Sequence, residues 1–93
     1  MSGTNHKDIA VCYSKIATIY YYLGDYKNSI YYQKQSINIL KKIFGFDHYL
    51  IAQGYQNIGF YYFSMKKYNL AIKYIKKSLF LFFLIGGDAS PDT

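Results

Sequence analysis

His6 and His48 are the chain's two histidines, and each has an aspartate close by in sequence, Asp8 and Asp47. A histidine beside a carboxylate is the usual beginning of general acid–base chemistry. These two histidines, however, stand 42 residues apart, in register with a repeat that runs through the chain. They therefore occupy equivalent joints rather than one site, and the reading adopted is a repeated structural task, capping of the helix that follows. Cys12 is the single cysteine, which excludes an internal disulfide and a cysteine-built zinc site. It is expected to be a small buried or half-buried residue rather than a nucleophile. No phosphate loop, metal-ligand spacing or dinucleotide fingerprint occurs, and Gly86-Gly87 reads as a helix terminator. The expectation is a non-enzyme without a cofactor or metal.

Charge offers a second kind of chemistry. Eleven Lys against five Asp, with no Arg and no Glu, give a net charge of +6. Such a surplus favours acidic partners or nucleic acid. Lys73, Lys76 and Lys77 share a helical face by their spacing, with Lys66 and Lys67 at the start of the same helix. A patch for RNA is one reading of them, and a solvated outer face is the plainer one. The chain is also rich in Tyr, with thirteen, and has seven Phe and no Trp. An AT-rich codon usage would produce that bias, and would make many of the tyrosines substitutions of convenience. The 52% hydrophobic content supports a core and argues against disorder. The longest apolar run, Leu79–Ile85, is far shorter than the roughly 18 residues of a membrane span. No membrane insertion and no secretory signal are expected, and the cytosol is the expected compartment.

The elements that carry these residues follow from the period. His6 falls on His48, Tyr13 on Tyr55, Ile16 on Ile58, Tyr20 on Tyr62, Tyr26 on Tyr68, Ile30 on Ile72, Ser36 on Ser78 and Gly45 on Gly87. A fixed period in this range marks stacked helical hairpins. Apolar residues at helical spacing predict four helices, over about 6–22, 26–44, 48–64 and 68–85. Asn5 and Asp47 are placed to cap the first and third. The short links at 23–25 and 64–67 make each pair antiparallel. Ala17 and Gly59, Ser29 and Ala71, and Ser36 and Ser78 are small at equivalent positions, so that paired helices can approach closely, with Tyr26 and Tyr68 filling the gap beside each turn. Tyr68, Ala71, Ile72, Ile75, Leu79 and Phe82 read as the buried stripe of the fourth helix.

This arrangement resembles the tetratricopeptide repeat. The family's pattern appears as Tyr13, Ile16-Ala17, Tyr20, Gly24-x-Tyr26, Ser29 and Ser36, and again as Tyr55, Ile58-Gly59, Tyr62, Lys66-x-Tyr68, Ala71 and Ser78. Lys66 departs from the usual turn glycine and Ser29 from the usual alanine. The resemblance implies an all-α solenoid with repeat one at about 6–44, repeat two at about 48–85, and 86–93 as the start of a truncated third repeat. The longer period, with links at Gly45-Phe46-Asp47-His48-Tyr49 and at 87–93, is similar to the repeats of the clustered mitochondria protein family. His6-x-Asp8-Ile9-Ala10, Gln53-x-Tyr55 and the apolar stretch from Leu79 to the Pro91-Asp92-Thr93 link match its repeat region. Kinesin light chain repeats are the second choice, though they usually keep more Glu and Arg. Membership would imply a cytosolic protein of mitochondrial distribution, associated with translation factors and with messages for mitochondrial proteins. The second choice would imply cargo binding.

By the same resemblance, the first helices line a concave groove that binds a protein or peptide ligand. Its positions are Val11, Ser14, Lys15, Thr18, Tyr21 and Tyr22 in repeat one, and Gln53, Gln56, Asn57, Phe60, Phe63 and Ser64 in repeat two. Ser14, Thr18, Gln56 and Phe60 stand where some chaperone-binding members have a carboxylate clamp, so that clamp does not carry over. The expected reading is a protein-interaction scaffold cut from a longer array, with an RNA-binding segment as the alternative. The segment Leu79–Ile85 of the last helix, apolar on every face, should also self-associate, through Leu81, Phe83, Leu84 or Ile85.

Overall fold

The computed structural model describes residues 5–86, and within them the chain forms four α-helices. They are α1 (His6–Tyr22), α2 (Tyr26–Phe44), α3 (Tyr49–Ser64) and α4 (Tyr68–Ile85). Among the described residues there is no strand. The helices pack in chain order, α1 on α2, α2 on α3 and α3 on α4. This is an all-α stack of two antiparallel hairpins. The expected link and third repeat at 87–93 lie outside the described residues.

Local chemistry sets the helix ends. The Asn5 side chain accepts from the Asp8 amide at 2.9 Å, and Asp25 accepts from the Asn28 amide at 3.3 Å. Each bond satisfies an amide that the first helical turn leaves without a partner. At the third helix the capping role expected of His48 holds and the one expected of Asp47 does not. His48, not Asp47, is its cap, its Nδ1 accepting from the Leu50 amide at 3.1 Å. The ring is held there by stacking on Phe44 at 3.9 Å. His6 has no such task, being the first residue of α1 behind its own cap.

Both hairpins turn alike. The Asp25 amide donates to the Tyr20 carbonyl at 2.9 Å, and the Lys67 amide to the Tyr62 carbonyl at 2.9 Å. The residue before each amide takes a left-handed conformation, φ 82° at Gly24 and φ 63° at Lys66. Lys66 therefore adopts a backbone that glycine takes without steric cost.

Inside each hairpin, the small positions are buried as expected: Ala17, Ser29 and Ser36 in the first, and Gly59, Ala71 and Ser78 in the second. The Ser36 hydroxyl donates to the Ala10 carbonyl at 2.7 Å and so crosses from α2 to α1 without an unpaired polar group. The tyrosines have packing roles that codon bias does not explain. Tyr32 stacks on Tyr13 and Tyr20, with centroids 5.9 and 5.5 Å apart. One period on, Tyr74 meets Tyr55 and Tyr62 at 6.0 and 5.6 Å. Tyr26 is half-buried beside the first turn, whereas Tyr68 is exposed.

The joint between hairpins depends on a glycine that has no counterpart in the repeat. A Cβ on Gly54 would lie 2.7 Å from Ile37 Cγ1 and 3.2 Å from Gln33 Nε2. In α2, Ile30, Gln33, Ile37 and Leu40 are covered by α3 and are 8, 1, 3 and 3% exposed. Their equivalents in α4 behave differently. Ile72, Ile75, Leu79 and Phe82 are 52, 41, 67 and 37% exposed, contrary to the buried stripe expected of this helix. The residue types hold, but among the described residues no helix lies beyond α4 to cover them. Cys12, expected to be buried or half-buried, is exposed at the other end, where among the described residues no helix precedes α1.

These contacts rank two substitutions. Gly54→Ala is expected to cost about 1–3 kcal/mol by overpacking, because buried Ile37 cannot withdraw. That outweighs the ~1 kcal/mol by which alanine exceeds glycine as a helix former. Gly59→Ala brings a Cβ to 2.7 Å from Ile75 and 3.1 Å from the Ala71 carbonyl, but half-exposed Ile75 can swing aside. It is expected to be close to neutral, and Gly59→Leu clearly destabilising. Urea denaturation checks the order, and equal losses in the two alanine variants would contradict it.

Candidate functional site

The concave face is built from α1 and α3, with α2 as its floor. Val11, Ser14, Lys15 and Thr18 come together with Gln53 and Asn57 around a hollow of about 180 Å³. Gln33, Ser36, Leu40, Leu50 and Gly54 complete its lining, and none of these was read as a groove position from the sequence. Gln33 organises the polar end. It is buried, and its Oε1 accepts from the Ser14 hydroxyl and from Asn57 Nδ2, each at 3.2 Å. One amide of α2 thus ties the first helix of each hairpin to the same point. The signal for it in the sequence is a glutamine within the otherwise apolar stripe Ile30, Ile37 and Leu40.

The other expected groove residues gather at the turn end as an aromatic cluster. The Tyr21 ring lies 5.6 Å from Phe60 and 5.4 Å from Tyr22, and Phe60 lies 6.4 Å from Phe63. The Ser64 hydroxyl donates to the Tyr21 oxygen at 3.4 Å. Gln56 is exposed and is not among the residues lining the concave hollow. The face therefore offers amides and hydroxyls at one end and aromatic surface at the other. That combination suits a peptide backbone with an apolar anchor.

Tyr61, which the sequence reading did not single out, joins the two hairpins. It projects from α3 onto Tyr21 of α1 at 5.3 Å and is 4% exposed. Burial pushes its hydroxyl above the ordinary tyrosine range, a contact with the Thr18 hydroxyl acts the other way, and Tyr21 and Tyr22 add to the rise. A raised value in the folded state means that the neutral ring's contribution is complete below the unfolded value near 10. It is lost as pH rises through the folded value.

The remaining predicted residues do not form one site. Lys77 lies over the Tyr55 and Tyr74 rings at 5.3 and 5.2 Å, with Lys41 over Tyr55 and Lys34 over Tyr74. Lys76 instead borders a separate apolar hollow that includes Phe60, Phe63 and Ile75. Of the expected self-association residues, Phe83, Leu84 and Ile85 are exposed, but Leu81 is buried in the core and unavailable. Among the described residues no group of three or more His, Cys, Asp or Glu could hold a metal, and no helix is long and apolar enough to cross a membrane.

Residues 3–81 match the family model described as tetratricopeptide repeat, and the chain belongs to that family. Such repeats mediate protein–protein contacts. Among curated proteins it is similar to the clustered mitochondria protein homolog of Homo sapiens, 22% identical over 90 residues, 97% of this chain and 7% of that protein. The clustered mitochondria protein homolog of Culex quinquefasciatus is 28% identical over 91 residues, 97% of this chain and 6% of its own length. The clustered mitochondria protein of Arabidopsis thaliana is 28% identical over 73 residues, 78% of this chain and 5% of its own length. The chain thus spans only a small part of the relatives it matches. No solved structure matches it.

Tyr61→Phe is expected to move alkaline unfolding to higher pH, since the phenylalanine has no proton to lose in the buried position. Circular dichroism followed from pH 8 to 12 checks this, the range bracketing tyrosine ionisation near 10. An unchanged midpoint would place the tyrosine in water rather than in the joint.

Proposed function

We propose that this chain is a non-catalytic protein-interaction module that holds a peptide segment along the concave face of α1 and α3. The observation that carries the reading is the shared acceptor at Gln33. It fixes Ser14 and Asn57 at one end of a hollow whose other end is aromatic. Pre-positioned polar groups beside an apolar anchor lower the ordering cost of binding. The relatives' name, clustered mitochondria protein, extends the proposal: the module serves a protein that acts in the placement of mitochondria, and the cytosol is its proposed compartment.

A second reading rests on charge. Residues 26–86 hold nine Lys and one Asp. RNA drawn to such a surface would bind through its phosphates and release counterions.

Fluorescence anisotropy with short peptides selected from a random library, and with a single-stranded RNA oligomer, separates the two readings. Peptide binding is expected to weaken by roughly fivefold in Asn57→Ala, the scale of one net hydrogen bond. Loss of the aromatic anchor in Phe60→Ala should cost at least as much. Both affinities should change little between low and moderate salt. Tight RNA binding that collapses with salt and is indifferent to Asn57 would favour the second reading. Failure to select any peptide dependent on Asn57 or Phe60 would overturn the first.

A further inference from the structure

Among the described residues two faces remain uncovered, and each is the counterpart of a surface already joined inside the chain. In the joint between the hairpins, Ile51, Gly54, Ile58 and Tyr61 of α3 present one stripe to the first hairpin, and all four are buried. One period earlier the same stripe on α1 is Ile9, Cys12, Ile16 and Ile19. Ile9, Cys12 and Ile19 are exposed, and Ile16 is half-buried. The surface that receives the stripe in α2 recurs one period later on α4 as Ile72, Ile75, Leu79 and Phe82, all exposed. One chain therefore carries both halves of its internal joint a second time, each half exposed among the described residues.

We infer that copies of this chain dock head to tail, the Ile9–Ile19 stripe of one α1 seating on the Ile72–Phe82 stripe of another copy's α4, in the geometry of the α2–α3 joint. Where Tyr61 fills the space beside Tyr21 within the chain, Ile19 of the next copy enters a hollow of about 480 Å³ lined by Phe60, Phe63, Ile72 and Ile75. Two substitutions in the joint are matched. Asn57 and Gln33, which bond to each other, become Lys15 and Ile75, so the lysine stem lies on the isoleucine while its ammonium reaches water. Gly54 and Ile37 become Cys12 and Leu79. Leu79 is exposed and free to take the rotamer that the larger Cys12 requires. The contact is heterologous and does not close on itself, so it yields a series of oligomers rather than a fixed dimer. Each chain carries +6, so repulsion opposes docking, and added salt strengthens it.

The contact differs from one made by the tip of α4. Phe83, Leu84 and Ile85 correspond to Lys41, Lys42 and Ile43, which stay exposed although α3 covers the stripe of Ile30, Gln33, Ile37 and Leu40 on α2. Phe83→Lys is therefore the control that leaves docking intact.

Sedimentation velocity over a concentration series tests the proposal, with circular dichroism confirming that each variant is folded. Wild type and Phe83→Lys should pass from monomer through dimer to larger species, more so with added salt. Ile19→Lys blocks one face and Leu79→Lys the other, so each alone should be monomeric. An equimolar mixture should form heterodimers and stop there. A second route uses Leu79→Cys. In the internal joint a Cβ at residue 54 lies 2.7 Å from Ile37 Cγ1, an atom bonded to the Ile37 Cβ, so side chains at the two positions are within disulfide reach. Oxidation of that variant should give a ladder of linked chains on a non-reducing gel, abolished by Cys12→Ser. A monomeric wild type at high concentration would overturn the inference. So would dimers of Ile19→Lys, which would mean a symmetric α4 contact, or a Leu79→Cys variant that never links to Cys12.

Discussion

Ile37 occupies the space that a side chain on residue 54 would need, and the relation of the two hairpins follows from that. With hydrogen at position 54, α3 comes close enough to α2 to cover Ile30, Gln33, Ile37 and Leu40. Close approach brings Asn57 within 3.2 Å of Gln33 and Tyr61 onto Tyr21. Those two contacts set the spacing of α1 and α3, and hence the width of the concave face. Interiors pack at crystal-like density, so one methyl group in the wrong place moves whole helices rather than compressing locally. The candidate binding face is thus held in shape from behind, by a contact that a ligand on the concave side need not touch.

The same geometry explains where the apolar surface lies. Each hairpin buries its own small-residue seam and its tyrosine stack, and offers a stripe on either side for a neighbour. Only one of these joints is satisfied within the described residues. The outer stripes of α1 and α4 are left with large apolar residues in water, and such contiguous patches mark interaction sites. Burial in a repeat protein is set by neighbours and not by side-chain type alone. The equivalent stripes on α2 and α4, buried in one and exposed in the other, make that case within a single chain.

The period made the helices, their antiparallel pairing and the small positions legible, because equivalent residues face equivalent neighbours. It also misled wherever neighbours differ. Leu79 and Phe82 read as core because Ile37 and Leu40 would be core, and Cys12 read as buried because only its own helix face was considered. Gly54 was invisible because its counterpart is Cys12, so comparison of the repeats hides it. Of the two candidates for the third helix's cap, His48 holds the position, with its ring stacked on Phe44, and Asp47 does not. Of the residues lining the concave hollow, Val11, Ser14, Lys15, Thr18, Gln53 and Asn57 were among the positions the family pattern offers, whereas Leu50 and Gly54 of α3 were not. Gln33 lies on a second helix and reaches the groove only through the joint.

The most direct measurement of this account is native-state amide hydrogen exchange at a dilution where the chain is monomeric. Helices packed on two sides open only with the whole molecule, while helices covered on one side open locally at lower free energy. If the α2–α3 joint holds the fold, amides of α2 and α3 exchange slowest and those of α1 and α4 exchange earlier. Protection that is equal across all four helices, or lost first at the α2–α3 joint, would contradict it.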